Sequence, residues 1–256
     1  MVWSEIDSLC SGFCQSAASR RFLAGTVSGT VSSRASRFAR LAPSPLSTPI
    51  AFAMVSLLAL SSLLLHTFTG DSDQIVAWAS TNVANLGRHP VASLVVSTFI
   101  VPGGLLPELL IVAAGFALLE RSIGSGRTVL VALGGQVAAT LLTEYGAAVG
   151  ARWHLLADVD STRPDVGVSY AMYAVLAAAA LTFAGRSRFW ANLALYGSVL
   201  SALVVDRDMT STGHVLSLII GTLAMTGILH RAKAAAEPAR QPQRSKSARE
   251  AHFVGV

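Results

Sequence analysis

Charge is scarce in this chain. Only 13% of its 256 residues are Asp, Glu, Lys or Arg, against 52% hydrophobic, and the mean hydropathy is +0.56. That balance excludes an ordinary water-soluble domain and indicates an all-α, polytopic membrane protein in contact with lipid. Cysteine is scarcer still. Cys10 and Cys14 are the only two, both in an N-terminal stretch expected on the reducing side of the membrane, which argues against a disulfide, a bound metal or a cofactor. The basic residues form no central patch. They gather at the two ends and in two short links, a pattern that points away from a nucleic-acid partner. An internal repeat of inverted topology is also missing, which disfavours many transporter folds. The long apolar segment that a twin-arginine export signal requires is absent too: Gly25, Thr26, Ser28 and Gly29 interrupt the residues after Arg20-Arg21.

What is present is a series of apolar runs between polar ends. Residues 1–48, rich in Ser, Ala and Arg, read as a basic tail of low order. Residues 49–230 read as a membrane domain, and residues 231–256 as a second basic tail, disordered in character. Ile50 to Phe68 is the first expected span. Pro90 to Val101 is too short to cross and reads as an interfacial segment, separated by Pro102-Gly103-Gly104 from a short second span, Leu105 to Leu119. After a compact turn from Glu120 to Arg127 come Thr128 to Val149, Val166 to Ala184, Phe189 to Val205 and Gly213 to Leu229, six spans in all. Under this layout fifteen Lys and Arg fall on the side of both termini and four on the other, Arg88, Arg152, Arg163 and Arg207, while seven aspartates fall outside. This bias makes both termini cytoplasmic. Arg outnumbers Lys seventeen to two in an Ala/Val-rich chain, the bias of a GC-rich bacterial genome, so the expected location is the bacterial cytoplasmic membrane.

The polar residues within the spans share a depth. Asp165 is expected as an N-cap that puts Ser169 about one turn inside the fourth span, at its outer end. His214 opens the sixth span at the same end, and Glu108 and Glu144 lie near the outer ends of the second and third. Ionisable groups inside a membrane are functional by default, although a lone Ser in such a helix most often packs against a neighbour. A Ser/His pair is a nucleophile and its base: the imidazole takes the hydroxyl proton during attack on a carbonyl and returns it to the leaving amine. Small residues would bring the two helices together, with Gly213, Ser217 and Gly221 at four-residue spacing on one and Gly167, Ala171, Ala174 and Ala178 on the other. Tyr173, one turn from Ser169, could lay its ring on the imidazole.

These residues resemble the rhomboid intramembrane serine proteases over roughly residues 50–229. The resemblance rests on six spans, an interfacial first loop, Leu119-Glu120-Arg121 followed by Gly124-Ser125-Gly126-Arg127, Gly167-Val168-Ser169 with Tyr173, and Gly213-His214 with Gly221. It implies a six-transmembrane-helix rhomboid-like bundle in which Ser169 is the nucleophile, His214 the base and Tyr173 the ring beside it. The chain departs from the family pattern at Tyr170, where rhomboids carry Gly. It departs also at Gly104 and Glu108, where they carry a His and an Asn that help hold the oxyanion. Three functions therefore stay open: a serine endopeptidase acting on transmembrane protein substrates near the outer face, an inactive relative that binds the membrane segments of client proteins, and a proton-coupled transporter built on Glu108, Glu144 and His214.

Overall fold

The computed structural model describes residues 44–68, 72–101, 105–153 and 163–253, with side chains as far as residue 235. Gly104, the two cysteines and the remainder of both expected tails lie outside the described residues or side chains. Among the described residues every regular element is a helix: α1 Pro49–Phe68, α2 Ser72–Ala79, α3 Val83–Arg88, α4 Pro90–Ser97, α5 Leu105–Ile123, α6 Ser125–Arg152, α7 Ser169–Ala180, α8 Gly185–Asp206 and α9 Met209–Phe253.

Among the described residues four stretches are long and apolar enough to cross a membrane, Pro49–Thr67, Ser125–Arg152, Gly185–Asp206 and Met209–Ala235. The second expected span, α5, is nineteen residues long but carries Glu108, Glu120 and Arg121. The fourth differs most from expectation. Val166 to Ala184 was to be one continuous helix, yet α7 has twelve residues, about 18 Å at 1.5 Å per residue, against a hydrocarbon core of about 30 Å. Two backbone features shorten it. Gly167 has φ 130°, a conformation an L side chain rarely adopts, and its N–H is donated to the Ser97 carbonyl at 2.8 Å. At the other end the chain turns after Ala180 and re-enters helix at Gly185, with φ 55°. The sixth expected span was to end at Leu229, before a disordered tail; in α9 the backbone stays helical to Phe253.

A twelve-residue helix is tolerated because protein, not lipid, surrounds it. Nine of its residues are buried, six of them alanines, and it packs on α5, α6, α8 and α9. Alanine keeps α7 thin, and glycines on its neighbours remove the remaining obstacle. A Cβ added at Gly221 of α9 would collide with the Ala174 backbone, and one at Gly135 of α6 with the Ala174 Cβ. The main core gathers around this contact, with Phe116 and Val112 from α5, Val131 from α6, Val175 from α7 and Met225 from α9 all buried. Large apolar side chains such as Leu63, Leu130, Trp190, Val205 and Leu223 face outward, as a lipid-facing surface requires.

The far end of the bundle is tied by Glu120, which is only 4% exposed. Its carboxylate accepts from the backbone N–H groups of Ile50 and Ala51 at 3.1 and 3.0 Å and from the Ser125 hydroxyl at 2.6 Å. It thereby satisfies donors in the first turn of α1, which no residue within that helix can reach, and places negative charge at the positive end of its dipole. One side chain joins α1, α5 and α6. The motif residues Glu120 and Ser125 thus have a structural use.

Two outcomes follow from these contacts. Glu120→Ala is expected to lower the Tm in detergent well below wild type, since each buried N–H left without a partner costs about 1–3 kcal/mol. Glu120→Gln, which keeps an acceptor, should lose less; a Tm for Glu120→Ala equal to wild type would refute the role. Gly221→Leu is expected to separate α9 from α7 and to yield protein that aggregates on extraction, read by size-exclusion chromatography. A monodisperse variant of unchanged Tm would show that the close backbone contact is dispensable.

Candidate functional site

Residues 163–168, which lead into α7, form no regular element and are held from both sides. The Thr81 N–H donates to the Asp165 carbonyl at 2.8 Å, the Asp165 N–H to the Ser80 hydroxyl at 2.6 Å, and the Ser80 hydroxyl to the Arg163 carbonyl at 3.2 Å. The Thr81 hydroxyl lies 3.0 Å from both the carbonyl and the carboxylate Oδ2 of Asp165. Arg163 in turn pairs with Glu144 of α6 at 3.2 Å and donates to Thr210 of α9 at 3.2 Å. The turn between α2 and α3 is itself stiffened by the Asn85 amide, which donates to the carbonyls of Ala77, Trp78 and Ser80. This polar clamp fixes the direction from which the chain enters α7.

Asp165 therefore is not the N-cap of α7. Val168 occupies that position without a side-chain cap bond, and Ser169 is the first residue of the helix rather than one turn inside it. The Ala171 N–H is satisfied by the Gln136 side chain from α6 at 3.1 Å. Gly167 also does not line α7: it precedes the helix, and its use is the positive φ that turns the chain from the clamp into Ser169.

His214 lies in α9, two turns from Gly221 and so beside α7. Its ring sits 4.5 Å from that of Tyr173, tilted by 46°, as a ring beside the histidine should. It also meets Tyr170 edge to face, at 5.7 Å and 73°. The Nε2 atom of His214 is buried and has no hydrogen-bond partner. No hydrogen bond joins Ser169 to His214. Gly213 and Ser217 are buried on the same helix, and the Ser217 hydroxyl is spent on the Gly213 carbonyl at 2.8 Å.

The two glutamates part company. Glu108, in the first turn of α5, lies within electrostatic range of Tyr173 but forms no hydrogen bond with Ser169 or His214. Glu144 belongs to the clamp, held by Arg163. The structure thus gathers Ser169, Tyr170, Tyr173 and His214, places Glu108 on the Tyr173 side and assigns Glu144 elsewhere. Sequence reasoning missed Gln136, Gly135 and the residues Ser80, Thr81 and Asn85. A signal existed for some of them: Gln136 is an amide inside an otherwise apolar run, and Asn82, whose side chain accepts from the Asn85 N–H, is a helix-start residue just after Ser80-Thr81.

A family model described as rhomboid-like protein matches residues 45–234, from just before α1 into the helical extension of α9. The chain belongs to the rhomboid-like proteins. No curated protein and no solved structure matches it. The match takes in Ser169, Tyr173 and His214 of this rhomboid-like protein together with the clamp, so the clamp is part of the family region rather than an appendage.

Burial raises the Asp165 carboxyl above its ordinary value, the Thr81 hydroxyl and Arg163 offsetting only part of the effect. Below about 3.8 the group is neutral folded or unfolded and adds no penalty; as pH rises through the raised folded-state value, ionisation is disfavoured in the native protein and stability falls. Asp165→Asn keeps an acceptor for Thr81 and cannot ionise. It is expected to show a higher Tm than wild type at neutral pH, with the gap closing in acid. A gap that stayed constant with pH, or a lower Tm at neutral pH, would contradict this account of the clamp.

Proposed function

We propose that this rhomboid-like protein is an intramembrane serine endopeptidase that cuts transmembrane protein substrates near the outer membrane face, with Ser169 as nucleophile and His214 as general base. The supporting observation is the placement of His214: its ring lies on Tyr173 at the end of α9 that packs directly on α7, with a buried Nε2 that holds no other partner. In the proposed reaction the Ser169 oxygen attacks the substrate carbonyl and its proton passes to the imidazole. The amide C–N bond then breaks, the proton leaves with the amine, and water hydrolyses the acyl-enzyme. The Ser169 N–H, in the first turn of α7 where donors have no intrahelical partner, serves as one oxyanion donor, and Glu108 in its acid form as a second. The same reading carries the topology: a six-helix bundle with α4 in the interfacial loop, both termini cytoplasmic, in a bacterial cytoplasmic membrane, supported by the fifteen-to-four division of basic residues.

A second reading is an inactive homologue that binds the transmembrane segments of client proteins. Two observations favour it: Ser169 and His214 are not hydrogen-bonded, and Tyr170 stands where the proteases carry Gly. The proton-coupled transporter ranks behind both, because Glu144, one of its three required groups, is engaged by Arg163.

The deciding experiment uses wild type and single variants in liposomes, with a panel of membrane-anchored substrates and a serine-directed acylating inhibitor. Ser169→Ala and His214→Ala are expected to abolish cleavage and labelling. Glu108→Ala should lose about 10²- to 10³-fold, the usual consequence of removing one oxyanion donor, while Glu108→Gln retains most of the activity. Cleavage that survives Ser169→Ala would refute the assignment. A wild type that neither cuts nor labels would select the inactive reading.

A further inference from the structure

The residue after the serine has no assigned task, yet it is the most enclosed large polar side chain at the site. Tyr170 is 3% exposed, and its buried hydroxyl makes no well-formed hydrogen bond, lying near the Asp165 carboxyl. The ring lies along Gly213: a Cβ built there would fall 2.5 Å from the Tyr170 Cε1, Cζ and hydroxyl atoms. A side chain at 213 would have to displace the Tyr170 ring from this position, so the place of the ring depends on Gly213. Gly213 is the residue immediately before His214, and Tyr170 is the residue immediately after Ser169.

The imidazole has few other restraints. Its Nε2 makes no hydrogen bond, and among the described residues no carboxylate accepts from either nitrogen, as one does in three-residue serine hydrolase sites. Its orientation depends instead on two rings from α7, Tyr173 at 4.5 Å and Tyr170 at 5.7 Å, the second in the edge-to-face geometry that aromatic rings prefer. A base confined in this way needs little further ordering to meet Ser169, whereas an unconfined ring in the same pocket would sample orientations that cannot accept the proton. We propose that Tyr170, seated in the groove left by Gly213, is a positioning residue that confines the His214 ring against Tyr173 and stands in for the missing hydrogen-bonded orienting group. The catalytic part of this proposal rests on the protease reading; the confinement of His214 does not.

The test has two readouts on the full chain in detergent micelles. The first is carbethoxylation of His214 by diethylpyrocarbonate, followed by mass spectrometry, with the exposed His230 as internal reference. The second is the rate of Ser169 labelling by an acylating inhibitor, together with kcat and KM on any substrate that is cut. Tyr170→Ala is expected to speed His214 modification relative to His230 and to slow labelling and kcat by about 10²-fold with KM little changed, the scale of a misplaced catalytic group. Tyr170→Phe, which keeps the ring, should match wild type in both readouts. Gly213→Ala, which displaces the Tyr170 ring without removing it, should resemble Tyr170→Ala. Unchanged His214 modification in both Tyr170→Ala and Gly213→Ala would overturn the proposal, and so would faster labelling in Tyr170→Ala. If wild type is not labelled but His214 modification still responds to Tyr170→Ala and not to Tyr170→Phe, the confinement stands and the protease reading fails.

Discussion

The contact between the backbone of α7 and its neighbours, centred on Ala174, is the constraint on which the other features rest. Helices whose facing residues carry ordinary side chains pack about 8–10 Å apart. Removing the side chains at Gly135 and Gly221 lets three helices share one short stretch of backbone contact. Ser169, Tyr170 and Tyr173 lie toward the N-terminal end of α7 and His214 two turns along α9 from Gly221. Lipid offers no hydrophobic drive for such an approach, so dispersion between well-fitted small residues has to supply it.

Close packing of a short helix creates a second problem, the polar groups at its ends. The bundle meets it with side chains from elsewhere in the chain. Gln136 serves the Ala171 N–H, the pair Ser80-Thr81 takes the backbone of Asp165, and Glu120 does the same for α1 at another place in the bundle. Each is a polar side chain within or beside an apolar segment whose partner is a backbone group far away in sequence.

Membership of the rhomboid-like family covers most of the chain but does not choose between a protease and an inactive relative. The arrangement around His214 bears on that choice in both directions. Tyr173 beside the imidazole and the bare Nε2 fit a base, while Tyr170 occupies a position that the resembling proteases leave empty. If Tyr170 orders the histidine, that departure is compatible with catalysis and becomes the feature that distinguishes this chain's site from the family pattern.

Much of this was legible in the residues alone. Hydropathy placed α1 and α8 within a few residues of their observed bounds, and the short run at Pro90 was recognised as too short to cross. The recurrence of small residues marked the face of α9 that meets α7, because helix period and residue size are local properties of a sequence. The length of α7, the task of Asp165 and the enclosure of His214 by Tyr170 were not legible. Hydropathy registers that a helix avoids water but cannot tell whether protein or lipid surrounds it, so a twelve-residue helix buried in protein and flanked by Val166 and Leu181-Thr182-Phe183 reads as one long span. The partners of Asp165 are 84 residues away, Gly135 meets a helix that begins 34 residues later, and the space for the Tyr170 ring is set by Gly213. Which residues meet across such separations is decided by how the helices pack, and only the tertiary structure contains that information.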